Sequence, residues 1–232
     1  MVSVLNWKVT MTINMRLVTG FGIILAMMLI LTVIGISRVS HINNNITHMT
    51  DVNSVKQRYA INFRGSVHDR AIALRDVVLI TEQSTLNTVL NDIKELDAFY
   101  QTSSRAMNTL MSDMSNEERA LINKINQIEQ QTQPYIKSVI NAKNSKNLNE
   151  ASRILLTDAR PAFTLWLNTI NQFIDLQEQA NQATTVDTRE VASSFKIWMI
   201  TLTALAILIG ASVAYVISLR IRDSVGGEPQ EA

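Results

Sequence analysis

Cysteine is absent from the chain, which excludes disulfides and thiolate metal sites at once. Between residues 37 and 196 the only glycine is Gly65 and the only prolines are Pro134 and Pro161. Sheets and tight turns need more punctuation than that, so this segment reads as helix throughout. Charge of one sign is missing too: 21 Lys and Arg face 20 Asp and Glu. No basic stripe with interleaved aromatics is present, which argues against nucleic acid as a partner. A glycine-rich phosphate loop, a nucleophile elbow and a paired carboxylate are all lacking. The Ser and Thr scattered on helical faces have no activating base. His41 and His48 stand seven apart in a polar stretch without metal-ligand spacing. The sequence thus offers no catalytic residue, no metal site and no cofactor site.

What the chain does have is two uncharged apolar runs. Residues 17–36 give 20 positions without a charge, and residues 197–219 give 23. A hydrocarbon core about 30 Å thick takes roughly 20 helical residues to cross, so both runs are predicted transmembrane helices. The first is longer than the apolar stretch of a signal peptide and ends in Val33-Ile34-Gly35-Ile36 without a small-x-small cleavage site, so it reads as an uncleaved anchor. Lys8 and Arg16 precede the first run, while Arg220 and Arg222 follow the second. Positive residues close to a span stay in the cytoplasm. The predicted order is a cytoplasmic tail (1–16), a first span (17–36), an extracytoplasmic domain (37–196), a second span (197–219) and a cytoplasmic end (220–232). Trp198 and Tyr215 lie near the two ends of the second span, where amphipathic rings anchor at the interface.

The spacing of apolar residues counts the helices of the outer domain. A first seam runs Ile42, Ile46, Met49, Asn53, Lys56, Ala60, Phe63, Val67, Arg70, Leu74, Val77. A second runs Leu86, Val89, Ile93, Leu96, Tyr100, Ser103, Met107, Leu110, Met114, and a third Leu121, Ile125, Ile128, Thr132, Tyr135, Val139, Ala142. The last follows Phe163, Trp166, Ile170, Phe173, Gln177, Ala180, Thr184. Steps of three and four describe helices packed side by side at a shallow angle. Polar breaks separate them at Thr81-Glu82-Gln83-Ser84, at Ser115-Asn116-Glu117-Glu118, which is a capping box, and at Asn144-Ser145-Lys146-Asn147. A short helix over 148–157 is predicted to lead to Pro161 in the first turn of the last long helix, and Pro134 to kink the third. The fold class is therefore all-α: a membrane-anchored, antiparallel, up-down-up-down four-helix bundle whose helices 1 and 4 continue into the two spans. At 1.5 Å per residue, the first outer helix (37–80) would reach roughly 65 Å from the bilayer. Such a rod suits the transmission of a small displacement.

Three stretches add a family resemblance. They are Asn62-Phe63-Arg64-Gly65-Ser66-Val67-His68-Asp69-Arg70 with Ala73-Leu74-Arg75-Asp76, then Arg160-Pro161-Ala162-Phe163 with Trp166, and finally Ser224-Val225-Gly226-Gly227-Glu228-Pro229. Together they resemble the N-terminal half of a bacterial methyl-accepting chemotaxis protein with a four-helix-bundle sensor domain, the last stretch being similar to the entrance of a HAMP domain. The resemblance implies a homodimeric chemoreceptor in the bacterial inner membrane, with a periplasmic sensor domain and both termini cytoplasmic. It implies a small anionic ligand, an amino acid or carboxylic acid, or else a ligand-loaded periplasmic binding protein. It further implies signalling through HAMP to a cytoplasmic coupling protein and histidine kinase by parts lying beyond Ala232, so the chain is expected to be a fragment or a truncated product. The same module on a histidine kinase or diguanylate cyclase, or a structural membrane tether without ligand, are the alternatives.

Recognition falls first on the arginines of the first outer helix. Arg70 takes a seam position between Val67 and Leu74, where a guanidinium is costly unless an anion satisfies it. Arg64, His68 and Arg75 fall within about 40° of one another on a neighbouring face. The planar fork of arginine suits bidentate binding of carboxylates, and by resemblance arginines of this helix hold the ligand near the dimer interface. The competing reading pairs them with Asp69, Asp76 or carboxylates of other helices. Tyr135, Arg160 and Thr164 complete the candidate set on helices three and four, with core packing the competing role for Tyr135, as for Trp166.

Overall fold

The computed structural model describes residues 13–225, and the side chains of Arg16, Arg220 and Arg222 are not among the described ones. Lys8 and the stretch Gly226-Gly227-Glu228-Pro229, on which the charge and HAMP readings rest, also lie outside the described residues. Among the described residues the chain is helical with no strand. In order it forms α1 (Ile13–Thr47), a π-helical turn (His48–Asn53), α2 (Ser54–Leu79), α3 (Gln83–Thr109), a 3-10 turn (Met111–Asp113) and α4 (Asn116–Asn144). Then come α5 (Leu148–Ile154), a second π-helical turn (Leu155–Ala159) and α6 (Arg160–Val225). These divide into two compact units, Asn45–Val186 and the segments that flank it on either side.

The unit Asn45–Val186 is the four-helix bundle. Its core follows the expected seams: Asn53 of the first π-helical turn is buried, as are Lys56, Ala60, Phe63, Val67, Arg70, Leu74 and Val77 along α2, and Phe163, Trp166, Ile170, Phe173 and Gln177 along α6. Polar ties give the antiparallel register. Asn62 donates to Ser103 and Ser66 to the Leu96 carbonyl, so α2 and α3 run oppositely. Gln101 donates to Glu129 and Gln133 to Asp97, which sets α3 against α4 in the same way. The capping box forms as expected, with the Ser115 hydroxyl accepting from the Glu118 N–H and Glu118 reaching back to the Ser115 N–H. At the other end of the bundle the Lys143 ammonium donates to the carbonyls of Val78 and Ile80, at 3.2 and 2.6 Å, and satisfies the last turn of α2.

One sequence expectation needs correcting. Tyr135 is not on the buried seam of α4: it is 38% exposed, and Ile136 is buried in its place. The seam of α4 runs Ile122, Ile125, Ile128, Thr132, Ile136, Val139, because the wholly apolar Ile136 takes the buried place beside Tyr135, whose phenol carries a hydroxyl that needs a polar partner when buried. Pro161 lies in the first turn of α6, as expected, and the chain reaches it from α5 without leaving helix. The π-helical turn carries the chain from α5 into α6, with the Arg160 N–H bonded to the Leu155 carbonyl five residues back. Pro161, which has no N–H to place, follows it.

The flanking unit pairs the two apolar helices. A Cβ added to Gly20 would come within 2.5 Å of a Val213 methyl, Gly210 faces Ile24, and Gly35 faces Phe195. His41 and Asp187 continue this antiparallel register at 3.2 Å. Both helices are long and apolar enough to cross a membrane, and their most apolar windows are almost wholly unburied. Trp198 and Tyr215 are exposed on α6.

Candidate functional site

Two polar clusters lie inside the bundle. The Arg70 guanidinium, 1% exposed, donates to Asp97 of α3 at 2.6 Å. It also lies between the rings of Tyr100 and Trp166, at 5.1 and 4.9 Å from their centroids. Among the described residues its Nε and Nη2 have no hydrogen-bond partner and face the aromatic rings instead. Burial pushes the Arg70 pKa down against the pull of Asp97. Burial also raises the carboxyl of nearby Glu129, which the Gln101 amide only partly offsets. Phe63, Tyr100, Trp166 and Phe163 form a continuous aromatic chain beside this pair. The second cluster joins three elements at one carboxylate: Glu118 Oε1 accepts from Lys56 at 2.9 Å and from Gln177 at 2.6 Å. Burial works to raise the Glu118 carboxyl, but the Ser115 N–H, Gln177 and Lys56 outweigh it and hold it below the ordinary value. Both clusters tie helices together: the Arg70–Asp97 pair joins α2 to α3, and Lys56 and Gln177 join α2 and α6 to α4 at Glu118.

An open groove lies on the outer side of α2 and α6. It encloses about 400 Å³ and is lined by His68, Ile72 and Arg75 from α2, and by Arg160, Phe163 and Thr164 from α6, with Leu156 of the π-helical turn at its edge. Helical spacing explains why these meet. His68, Ile72 and Arg75 step by four and three along one face of α2, and Arg160, Phe163 and Thr164 share a face of α6 by the same rule. The π-helical turn adds a residue to the helix and so aims Leu156 at the groove, a placement π-turns often have at functional sites. The arginines remain available: Arg75 has a loose exposed contact with Asp76 at 3.6 Å, and Arg160 makes no ion pair among the described residues. The Thr164 hydroxyl donates to the Arg160 carbonyl, leaving its lone pairs outward. Chemically, the groove offers two guanidinium forks over an apolar floor.

Comparison with protein families finds a match over residues 10–192 to the four-helix-bundle sensory module for signal transduction. The chain belongs to this family. Comparison with curated proteins and with solved structures finds no match. The match spans the bundle and the whole of the first apolar helix, so this sensory module comprises both the sensing fold and the helix that leads to it.

Of the residues singled out from the sequence, four come together in the groove of this sensory module: His68, Arg75, Arg160 and Thr164. Arg64 is exposed on α2 outside the groove. Arg70 faces the interior and pairs with Asp97, and Tyr135 is exposed on α4. Sequence reasoning missed the floor. Ile72 and Leu156 carry no polar signal, and Phe163 read as an ordinary core residue. The available hint was the face shared by Ile72 with His68 and Arg75.

Proposed function

We propose that this sensory module is the input half of a transmembrane chemoreceptor that takes a small anion in the groove between α2 and α6. The observation that carries the reading is the convergence of Arg75 and Arg160, from two separate helices, on one open groove with an apolar floor. Surface arginines scattered for solubility have no reason to meet in this way. α6 is a single helix from Arg160 to Val225, so a residue of the groove and the second apolar run share one rod. Ligand can move that rod only by favouring one of its arrangements over another. The domain is periplasmic and both termini are cytoplasmic, as the flanking Lys and Arg indicate. The displacement passes to HAMP and then, through the coupling protein, to a histidine kinase. The module acts as a homodimer in the bacterial inner membrane. Between direct capture of an amino or carboxylic acid and contact with a loaded binding protein, the size of the groove, about 400 Å³, favours the free small acid.

The test is a thermal-shift screen of the full chain in lipid nanodiscs against amino and carboxylic acids, repeated on Arg75→Ala and Arg160→Ala. Each substitution is expected to weaken binding of a hit by about 1–3 kcal/mol, the range for a lost charge-assisted hydrogen bond, with the unliganded melting temperature nearly unchanged because both side chains are exposed. Hits that ignore both substitutions would place the ligand elsewhere.

A further inference from the structure

Resting on the groove as the ligand site, we infer that its ligand is a monocarboxylate with an apolar body and no ammonium group, an aromatic acid above all. Two of its features point there together. The first is charge. Arg75, Arg160 and His68 line the groove, and no carboxylate among the described residues does. The adjoining trough, which shares Leu156, Arg160 and Thr164 and adds Asn168, has none either. Acids close by in sequence each have a cation of their own: Asp69 contacts His68 Nδ1 at 3.1 Å, Asp76 contacts Arg75 at 3.6 Å and Asp158 contacts Arg153 at 3.5 Å. An α-amino acid would bring its ammonium beside two guanidinium groups, with only the lone pairs of Thr164 and backbone carbonyls to receive it. A site built for one polar group and short of partners for another discriminates strongly between the two.

The second feature is the floor. Ile72 is 37% exposed and Leu156 57% exposed, beside buried Phe163. Apolar surface next to charge is covered at a profit only by a ligand that has both a carboxylate and an apolar body. A short dicarboxylate would use both arginines and leave that surface in water. The volume of about 400 Å³ also fits a ring-bearing acid, at the lower end of ordinary ligand pockets. Arginine forks then fix the carboxylate, and the floor selects the body.

Titration calorimetry on the full chain in nanodiscs separates the possibilities with four probes: phenylacetate, phenylalanine, phenylacetamide and succinate. Phenylacetate is expected to bind, with phenylalanine, phenylacetamide and succinate each at least about tenfold weaker. Arg160→Gln should weaken phenylacetate by about tenfold, and Leu156→Ser, at an exposed position that leaves the fold intact, should weaken phenylacetate more than succinate. Phenylalanine or succinate binding as tightly as phenylacetate, while still depending on Arg160, would overturn the ligand class and leave the groove standing as the site. Binding indifferent to both Arg75→Gln and Arg160→Gln, or no binding by any probe, would remove the site, and the ligand class with it.

Discussion

At the scale of single residues, the bundle shows how a buried charge is tolerated and where that tolerance ends. Arg70 is enclosed, while the Asp97 side chain that pairs with it is 39% exposed. Removing the arginine therefore leaves a carboxylate that can rehydrate, but removing the aspartate leaves a guanidinium that cannot. Asp97→Ala is expected to cost about 3–5 kcal/mol, and Arg70→Leu, which fits the seam, roughly 1–2 kcal/mol. Thermal melts of the two variants in one buffer check the order, and an equal or reversed order would contradict it. Glu118 gives a pH counterpart. Its folded carboxyl lies below the ordinary value, so its ion pair with Lys56 stabilises the fold above the unfolded carboxylate pKa and fades as pH falls through the folded one. Wild type should melt above Glu118→Gln at neutral pH, and the gap should close below about pH 4. A gap that persists unchanged to pH 3 would show that the charge of Glu118 contributes nothing.

At the scale of elements, the seams along α2 and α6 were legible because unambiguous apolar or aromatic residues, as at Phe163, Trp166, Ile170 and Phe173, carry the steps of three and four past the polar Lys56, Arg70 and Gln177. On α4 the seam was ambiguous. Leu121 adjoins Ile122 and Tyr135 adjoins Ile136, so a pattern could slip by one residue without a visible fault, and packing chose the second member each time. The π-helical turn Leu155–Ala159 was illegible for another reason: hydrogen-bond register is decided by what Ala159, fully buried, packs against, not by propensity. The groove was half legible, since cations announce themselves by type while an apolar floor looks like core. In the apolar pair, Gly20 faces Val213 so closely that a Cβ would sit at 2.5 Å, whereas Gly22 faces open space. Small residues let membrane helices approach. Because the chain lacks cysteine, an introduced pair at Ile24 and Gly210 reports that approach directly. Gly20→Leu should slow formation of the intrachain disulfide and Gly22→Leu should leave it unchanged. Equal rates in both would mean that the close approach at Gly20 is not what holds the helices together.

At the scale of the whole molecule, α2 carries a second seam that the bundle leaves uncovered. Ile61, Gly65, His68, Ile72, Arg75 and Leu79 are all exposed and repeat at intervals of four and three. That is the interval by which one helix packs along another, and Gly65, whose missing Cβ would meet nothing within 4 Å, lets a partner come close. Two copies related by a twofold axis would present the same stripe to each other. This is the surface on which the proposed homodimer should form, and Ile72 and Arg75 would belong both to it and to the rim of the ligand groove. A single cysteine at Ile61 or Ile72 of the chain in membranes should therefore give a disulfide-linked dimer on mild oxidation. Lys94→Cys, exposed on α3 away from the stripe, should give little. The expected ratio of cross-linking rates is about tenfold or more, since collision between randomly oriented copies favours no face while docking favours one. Rapid dimerisation through position 94, or none through 61 and 72, would refute pairing along α2. If the stripe does pair, a ligand lying at its edge bears on both copies, and its effect on the assembly needs no separate relay.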